Sequence, residues 1–240
     1  MIAAEHGTDR AETIIFLHGG NVAGWMWESQ VPAFDDFHVI VPDLPGFGAS
    51  NDQPWISLAA TADEVAELLR ERARDGRAHV VGLSLGSSVA IELGLRHPTL
   101  VSSLFLASAS VVPSRSALAP LMFALWEKRL FWSALARGYG LPADSVDIFV
   151  ETGLGIRVET ARAIYREISA GRDVSELAVP YLAVAGSKDS PAISRRSLAM
   201  LGGVAAPGLH HQWNIENIDL FNEAVREWVT RRQLAVGLRE

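Results

Sequence analysis

Short runs of β-branched and apolar residues alternate along the chain with longer stretches in which apolar positions recur every three or four residues. Thr13–Leu17, Phe37–Val41, Ala78–Leu83, Ser102–Ala107 and Tyr181–Ala185 are compact apolar runs, each ending at Gly, Pro or a small polar residue. Such runs predict strands buried on both faces. Leu58, Ala62, Val65 and Leu69 share one face of a helix opened by Ser57, and Val89, Ala90 and Leu93 continue another that stops at His97-Pro98. Ser190-Pro191 reads as an N-cap followed by Pro at the first helical position. Ile218, Phe221, Val225, Trp228 and Val229 stripe a final helix, with room for only a brief strand near Val204-Ala205 before it. The alternation predicts an α/β fold: a mostly parallel twisted sheet with helices on both faces.

Residues 112–178 break this rhythm. They hold no strand pattern but three helical ones, over Leu118–Arg137, Asp144–Glu151 and Glu159–Ala170, with bulky Met122, Phe123, Trp126, Phe131, Trp132 and Tyr139. A connection of that length needs structure of its own. We expect a helical cap over 112–178, inserted between two consecutive strands of a core formed by 1–111 and 179–240.

Composition narrows the classes. Apolar residues are 49% and charged residues 20% of 240, a globular balance, and the net charge is −7. That charge, without any Lys/Arg cluster, argues against a nucleic-acid partner. There are no cysteines, so thiol nucleophiles, disulfides and thiolate metal sites are excluded. No apolar run approaches the ~20 residues that span a bilayer. The longest, Ala117–Trp126, contains Pro120, and Glu5, His6 and Asp9 stand where a signal peptide would carry basic and then apolar residues. The expectation is a cytoplasmic protein with no membrane partner; the oligomeric state stays open.

Candidate chemistry centres on Gly82-Leu83-Ser84-Leu85-Gly86, a G-x-S-x-G pattern. The bare pattern is weak, but a buried strand runs into it and a helical pattern runs out, as a nucleophile elbow requires. That turn lifts the Ser84 hydroxyl clear of the sheet and aims the Leu85 N–H at a developing oxyanion. His18-Gly19-Gly20-Asn21 follows a neighbouring strand, and Gly20 can present a second N–H there. His18 and Asp43 are read as structural. A serine hydroxyl needs a histidine to take its proton and an acid to orient that histidine. His210 and His211 form an adjacent pair before the last helix, and Asp189 ends the loop after the strand at 181–185. Ser84, Asp189 and His211 fall in the order nucleophile, acid, base. Glu216 is a minor rival for the acid. Trp25, Met26, Trp126 and Trp213 are candidate pocket residues. The sequence holds no H-E-x-x-H and no carboxylate cluster, so neither a metal nor another cofactor is implied.

These motifs together resemble the α/β-hydrolase superfamily, over nearly the whole chain. His18-Gly19-Gly20 looks like its oxyanion loop, Asp43–Ser50 like its D-x-P-G-x-G-x-S segment, and Ala185–Asp189 like its acid loop. His211, Glu216 and Phe221-Asn222 are similar to its H-x4-E-x4-F-N ending, a register that selects His211 over His210. The chain departs from the pattern where His210 replaces the usual Gly and where Ser87 replaces a frequent Gly. The twelve residues before Thr13 leave little room for the family's opening hairpin, so that edge is expected to be trimmed. The resemblance implies a cofactor-independent serine hydrolase of a small, mostly apolar acyl substrate. Carbon–carbon bond cleavage, thioester cleavage, a lyase step or a silent ligand-binding homologue stay open beside it.

Overall fold

Seven strands form one sheet in the order β1-β3-β2-β4-β5-β6-β7. They are β1 (Ala3–His6), β2 (Thr13–Leu17), β3 (His38–Pro42), β4 (Ala78–Leu83), β5 (Val101–Ala107), β6 (Tyr181–Gly186) and β7 (Val204–Ala206). This is a computed structural model, and it describes residues 1–114, 116–139 and 141–238. Every residue of β2, β3 and β4 is buried, as continuous apolar strands covered on both faces should be. All pairings from β3 to β7 are parallel.

The N-terminal edge is not trimmed to nothing. β1 pairs antiparallel with β3, Ala3 opposite Pro42 and His6 opposite Val39. One antiparallel strand needs only four residues and a short return, which is how it fits before Thr13. It is tied down by Glu5, whose carboxylate lies 3.1 Å from His38 Nε2 and 2.6 Å from an Arg72 guanidinium nitrogen.

Helices α1 (Leu58–Arg72) and α2 (Leu85–Arg96) pack against each other and cover the sheet, and α9 (Ile218–Arg231) is pinned to it by Trp228 Nε1 donating to the Leu104 carbonyl at 2.8 Å. Ser57 caps α1 as its position predicts: its hydroxyl accepts the Ala60 N–H at 3.0 Å. Ser190 does not cap through its side chain. Its carbonyl accepts the N–H groups of Ile193 and Ser194 instead, and a wide helical turn over Ala192–Ser197 leads into α7 (Leu198–Leu201).

Four helices lie between β5 and β6: α3 (Ala119–Ala124), α4 (Arg129–Gly138), α5 (Ala143–Gly155) and α6 (Val158–Ser169). The continuous pattern from Leu118 to Arg137 is broken, with Lys128 in extended backbone before α4. The break lets two indoles bury together. Trp126 and Trp132 meet edge-to-face at 4.7 Å, Trp132 Nε1 donates to the Trp126 carbonyl, and Trp126 Nε1 donates to the Ile156 carbonyl at 2.8 Å. No helix among the described residues is long and apolar enough to cross a membrane.

Two histidines at the starts of strands, His38 and His79, are buried, because β3 and β4 are covered at their starts as well as their ends. His38 contacts Thr13 and Glu5, and His79 Nδ1 lies 2.8 Å from the Ser103 hydroxyl. Burial, with the nearby Arg232 and Arg77, holds the His79 imidazole down at about 4. A histidine that stays neutral in the fold but titrates normally when unfolded contributes stability that is complete above pH ~6.5 and is lost as pH falls toward 4. The thermal midpoint of the protein is therefore expected to drop between pH 6.5 and 4. His79→Gln should flatten that drop, and identical midpoint-versus-pH curves for the two proteins would show that His79 has no part in it.

Candidate active site

The carboxyl ends of β2, β3, β4, β6 and β7 point to one edge, and the loops leaving them meet there. Ser84 sits between β4 and α2 with φ 54° and ψ −105°, a backbone conformation that costs a non-glycine residue of order 1–3 kcal/mol. Its N–H donates to the Ala107 carbonyl at 2.8 Å and its carbonyl accepts the Ser88 N–H at 3.1 Å, so the strained residue is gripped from β5 and from α2. The two glycines are needed for clearance. A Cβ on Gly82 would collide with the backbone of Gly86, and one on Gly86 with the Leu17 carbonyl. Ser87 is tolerated because its hydroxyl lies 2.8 Å from both the Gly82 and Ala107 carbonyls.

After β2, His18 is fully buried. Its Nε2 accepts the Leu44 N–H at 2.9 Å, which assigns the proton to Nδ1, 2.7 Å from the Gly19 carbonyl. Burial pushes this imidazole below its ordinary pKa, and the neutral ring is the form that can accept at one nitrogen and donate at the other. Asp43 completes the brace: Oδ1 accepts the Gly24 N–H at 2.6 Å and Oδ2 accepts the Ala49 N–H at 2.7 Å. Both residues hold loops rather than face the cavity.

The adjacent histidines are separated by their partners. His210 is half exposed and pairs with Glu216, Nδ1 to Oε1 at 2.8 Å and backbone N–H to Oε2 at 2.7 Å. Partial burial opposes ionisation of Glu216, but the His210 N–H and imidazole outweigh it and hold the carboxyl below its usual range. His211 turns the other way. Its Nδ1 lies 2.8 Å from Asp189 Oδ2, while Asp189 Oδ1 accepts the Ser190 N–H at 2.6 Å. The Asp189 side chain is only 4% exposed, which strengthens that contact. The Ser108 hydroxyl, at the end of β5, donates to the His211 carbonyl at 3.0 Å. Ser108 stands just past the end of β5 with φ 51°, a conformation that has no signature in the sequence.

Gly20, Asn21, Ser84, Leu85 and His211 line one cavity of about 290 Å³, closed on the other side by Met122, Phe123, Trp126, Ile156 and Ile164 from the inserted helices. Among the described residues no Lys, Arg, Asp or Glu lines it. Of the four candidate pocket residues only Trp126 reaches the cavity. Trp213 is fully buried against Phe221 and Phe105, and the Met26 sulfur accepts the Gly19 N–H at 3.5 Å from beneath the loop. Trp25 lies outside it, its Nε1 donating to Thr152 Oγ1 at 3.0 Å. Aromatic stripes give no sign of which face is core. Gln212, Tyr139 and Asn21 are cavity residues that the motifs did not point to.

A family model described as the alpha/beta hydrolase fold matches residues 12–134. The chain belongs to the alpha/beta hydrolase fold family. Within that family, it is 28% identical over 242 aligned positions to an AB hydrolase superfamily protein of Gibberella zeae, covering 94% of this chain and 83% of that one. A pimeloyl-[acyl-carrier protein] methyl ester esterase of Aeromonas hydrophila is 38% identical over 100 residues, which is 40% of this chain and 37% of the esterase. A hydrolase from Pseudomonas aeruginosa superposes with a TM-score of 0.78 at 22% identity, over 95% of this chain and 93% of that one, a likeness of fold.

The separation of the two histidines gives a direct test. With His211 as the base, His211→Ala and Asp189→Asn are each expected to lower kcat by about 10³–10⁴-fold. His210→Ala and Glu216→Gln should keep kcat within roughly tenfold of wild type. Steady-state kinetics on an activated ester read the difference, and a large loss in His210→Ala alone would reverse the assignment.

Proposed function

We propose that the protein hydrolyses small, uncharged, mostly apolar carboxylic esters through an acyl-enzyme on Ser84. One observation carries this reading: the Asp189-paired His211 and the elbow serine open onto the same cavity, which no Lys, Arg, Asp or Glu lines among the described residues. The helices over 112–178 act in it as a cap that excludes water.

In the proposed reaction the Ser84 oxygen attacks the ester carbonyl carbon while His211 Nε2 takes its proton. Asp189 holds Nδ1–H and stabilises the imidazolium. The N–H groups of Gly20 and Leu85 carry the oxyanion; Leu85 begins α2, where the first N–H groups lack helical partners. His211 then gives its proton to the departing alkoxide. Water, deprotonated by the same histidine, attacks the acyl-enzyme and releases the carboxylic acid and the free serine. Mostly apolar walls, with no Lys or Arg among the described lining residues, favour a neutral acyl group over one carrying a carboxylate. The methyl ester esterase relative supports an ester as the bond cleaved.

A fluorophosphonate probe should label the wild-type protein and fail to label Ser84→Ala. p-Nitrophenyl esters of graded chain length should show turnover that peaks at an acyl length the cavity can hold, with a dicarboxylic half-ester a poorer substrate. Faster cleavage of a thioester or a vinylogous diketone than of any ester would move the reaction to those classes. Folded wild-type protein that neither labels nor turns over any of them would sink the hydrolase reading.

A further inference from the structure

Gln212 directly follows His211 and lines the cavity beside it. It is only 6% exposed, and its Oε1 is buried without a hydrogen-bond partner in the protein. Buried polar atoms are otherwise satisfied, because leaving one unpaired forfeits its bonds to water. The loop uses Gln212 only through its backbone: the carbonyl accepts the Ile215 and Glu216 N–H groups at 3.1 and 3.2 Å. No hydrogen bond within the fold accounts for the carboxamide.

Two more uncharged polar side chains of the cavity stand on loops tied to the same histidine. Ser110 lies two residues past Ser108, whose hydroxyl donates to the His211 carbonyl at 3.0 Å. Ser190 follows Asp189, whose carboxylate lies 2.8 Å from His211 Nδ1 and accepts the Ser190 N–H at 2.6 Å. Loops after β5, β6 and β7 thus bring two hydroxyls and a carboxamide to the histidine's side of the cavity. The side given by the inserted helices is mostly apolar, with Met122, Phe123, Trp126, Ile156 and Ile164.

In the reaction above His211 protonates the departing alkoxide, so the alcohol half of an ester lies on the histidine's side. Carboxamides and hydroxyls both donate and accept, which complements the hydroxyls of an alcohol. A charged head group would meet no counter-charge, since no Lys, Arg, Asp or Glu lines the cavity among the described residues. The terminal torsion of a glutamine is broad, so the carboxamide can turn its oxygen or its N–H groups onto a ligand. We propose that Gln212, with Ser110 and Ser190, binds the alcohol half of the substrate, and that this half is an uncharged polyol with free hydroxyls beside the ester oxygen. The proposal rests on the ester-hydrolase reading and names the leaving group within it.

Glycerol monobutyrate and propyl butyrate share one acyl group and differ by two hydroxyls on the alcohol. The wild-type protein should cleave the glycerol ester with kcat/KM about 10–100-fold higher. Gln212→Met keeps the side-chain length and removes the carboxamide, and should bring the two esters within about threefold of each other. Ser190→Ala, at an exposed position, should shrink the preference about two- to fivefold, and it decides the matter with the wild-type pair should Gln212→Met fail to fold. A glycerol ester cleaved no faster than the propyl ester, by protein that takes the fluorophosphonate label, would overturn the proposal and leave the hydrolase reading standing. A preference unchanged in both variants would also overturn it. Wild-type protein that cleaves neither ester and takes no label would overturn the ester-hydrolase reading itself, and the proposal with it.

Discussion

The site depends on a close approach between α2 and the strands beneath it. Gly86 lies so near the end of β2, and Gly82 so near Gly86, that neither position has room for one more carbon. This contact forces the chain to reverse over a single residue, Ser84, in a conformation that side chains avoid. The strain persists because backbone hydrogen bonds from β5 and the first turn of α2 over-determine it. The same contact sets the geometry of the loop after β2, since the residue that limits Gly86 is Leu17, immediately before His18. Ser84 and the loop after β2 are thus held in register by packing of backbone on backbone, which is stiffer than any side-chain contact.

Around that fixed point the remaining loops are positioned by paired polar groups. His18 links the loop after β2 to the loop after β3 through one donor and one acceptor. Asp43 stitches residues 24 and 49 with its two oxygens. Asp189 and Glu216 divide the histidine pair between an inward and an outward role. For the buried His18 ring and Asp189 carboxylate the alternative is an unpaired polar group in a low-dielectric setting, which costs more than the bond itself gains. Alternative loop arrangements are therefore penalised, not merely less stabilised.

Much of this was legible in the sequence, because it follows from local rules. Whereas the preference for His211 over His210 came from the family resemblance, strand β4 running into Gly82-Leu83-Ser84-Leu85-Gly86 and the cap at Ser57 needed only residue type and spacing. The structural roles of His18 and Asp43 were legible for the same reason. What escaped reading depends on which side of an element faces in. Trp213 and Met26 are as apolar as Trp126, and only the packing of α8 (Trp213–Glu216) and of the loop after β2 turns the first two inward. The break between α3 and α4 follows from two indoles meeting, a pairing at a sequence distance that no helical periodicity encodes. β1 escaped because it borrows its stability from β3 through Glu5, His38 and Arg72, residues far apart along the chain.

Charge is distributed so that the core and the insertion do different work. Residues 112–178 hold eight basic and eight acidic side chains, so the whole net charge of −7 resides on the remainder of the chain. The cavity between the two parts is lined by no charged Lys, Arg, Asp or Glu among the described residues. A neutral ester entering it pays no cost for leaving a counter-ion behind. In the proposed reaction the acid, once ionised, meets mostly apolar walls and a negatively charged core, with no Lys or Arg among the described lining residues to hold it. For the proposed reaction, the same electrostatics that admit an uncharged substrate disfavour retention of its anionic product. A cationic residue placed in the cavity wall would tighten product binding as well as substrate selection, and turnover would then be limited by release rather than by acyl transfer.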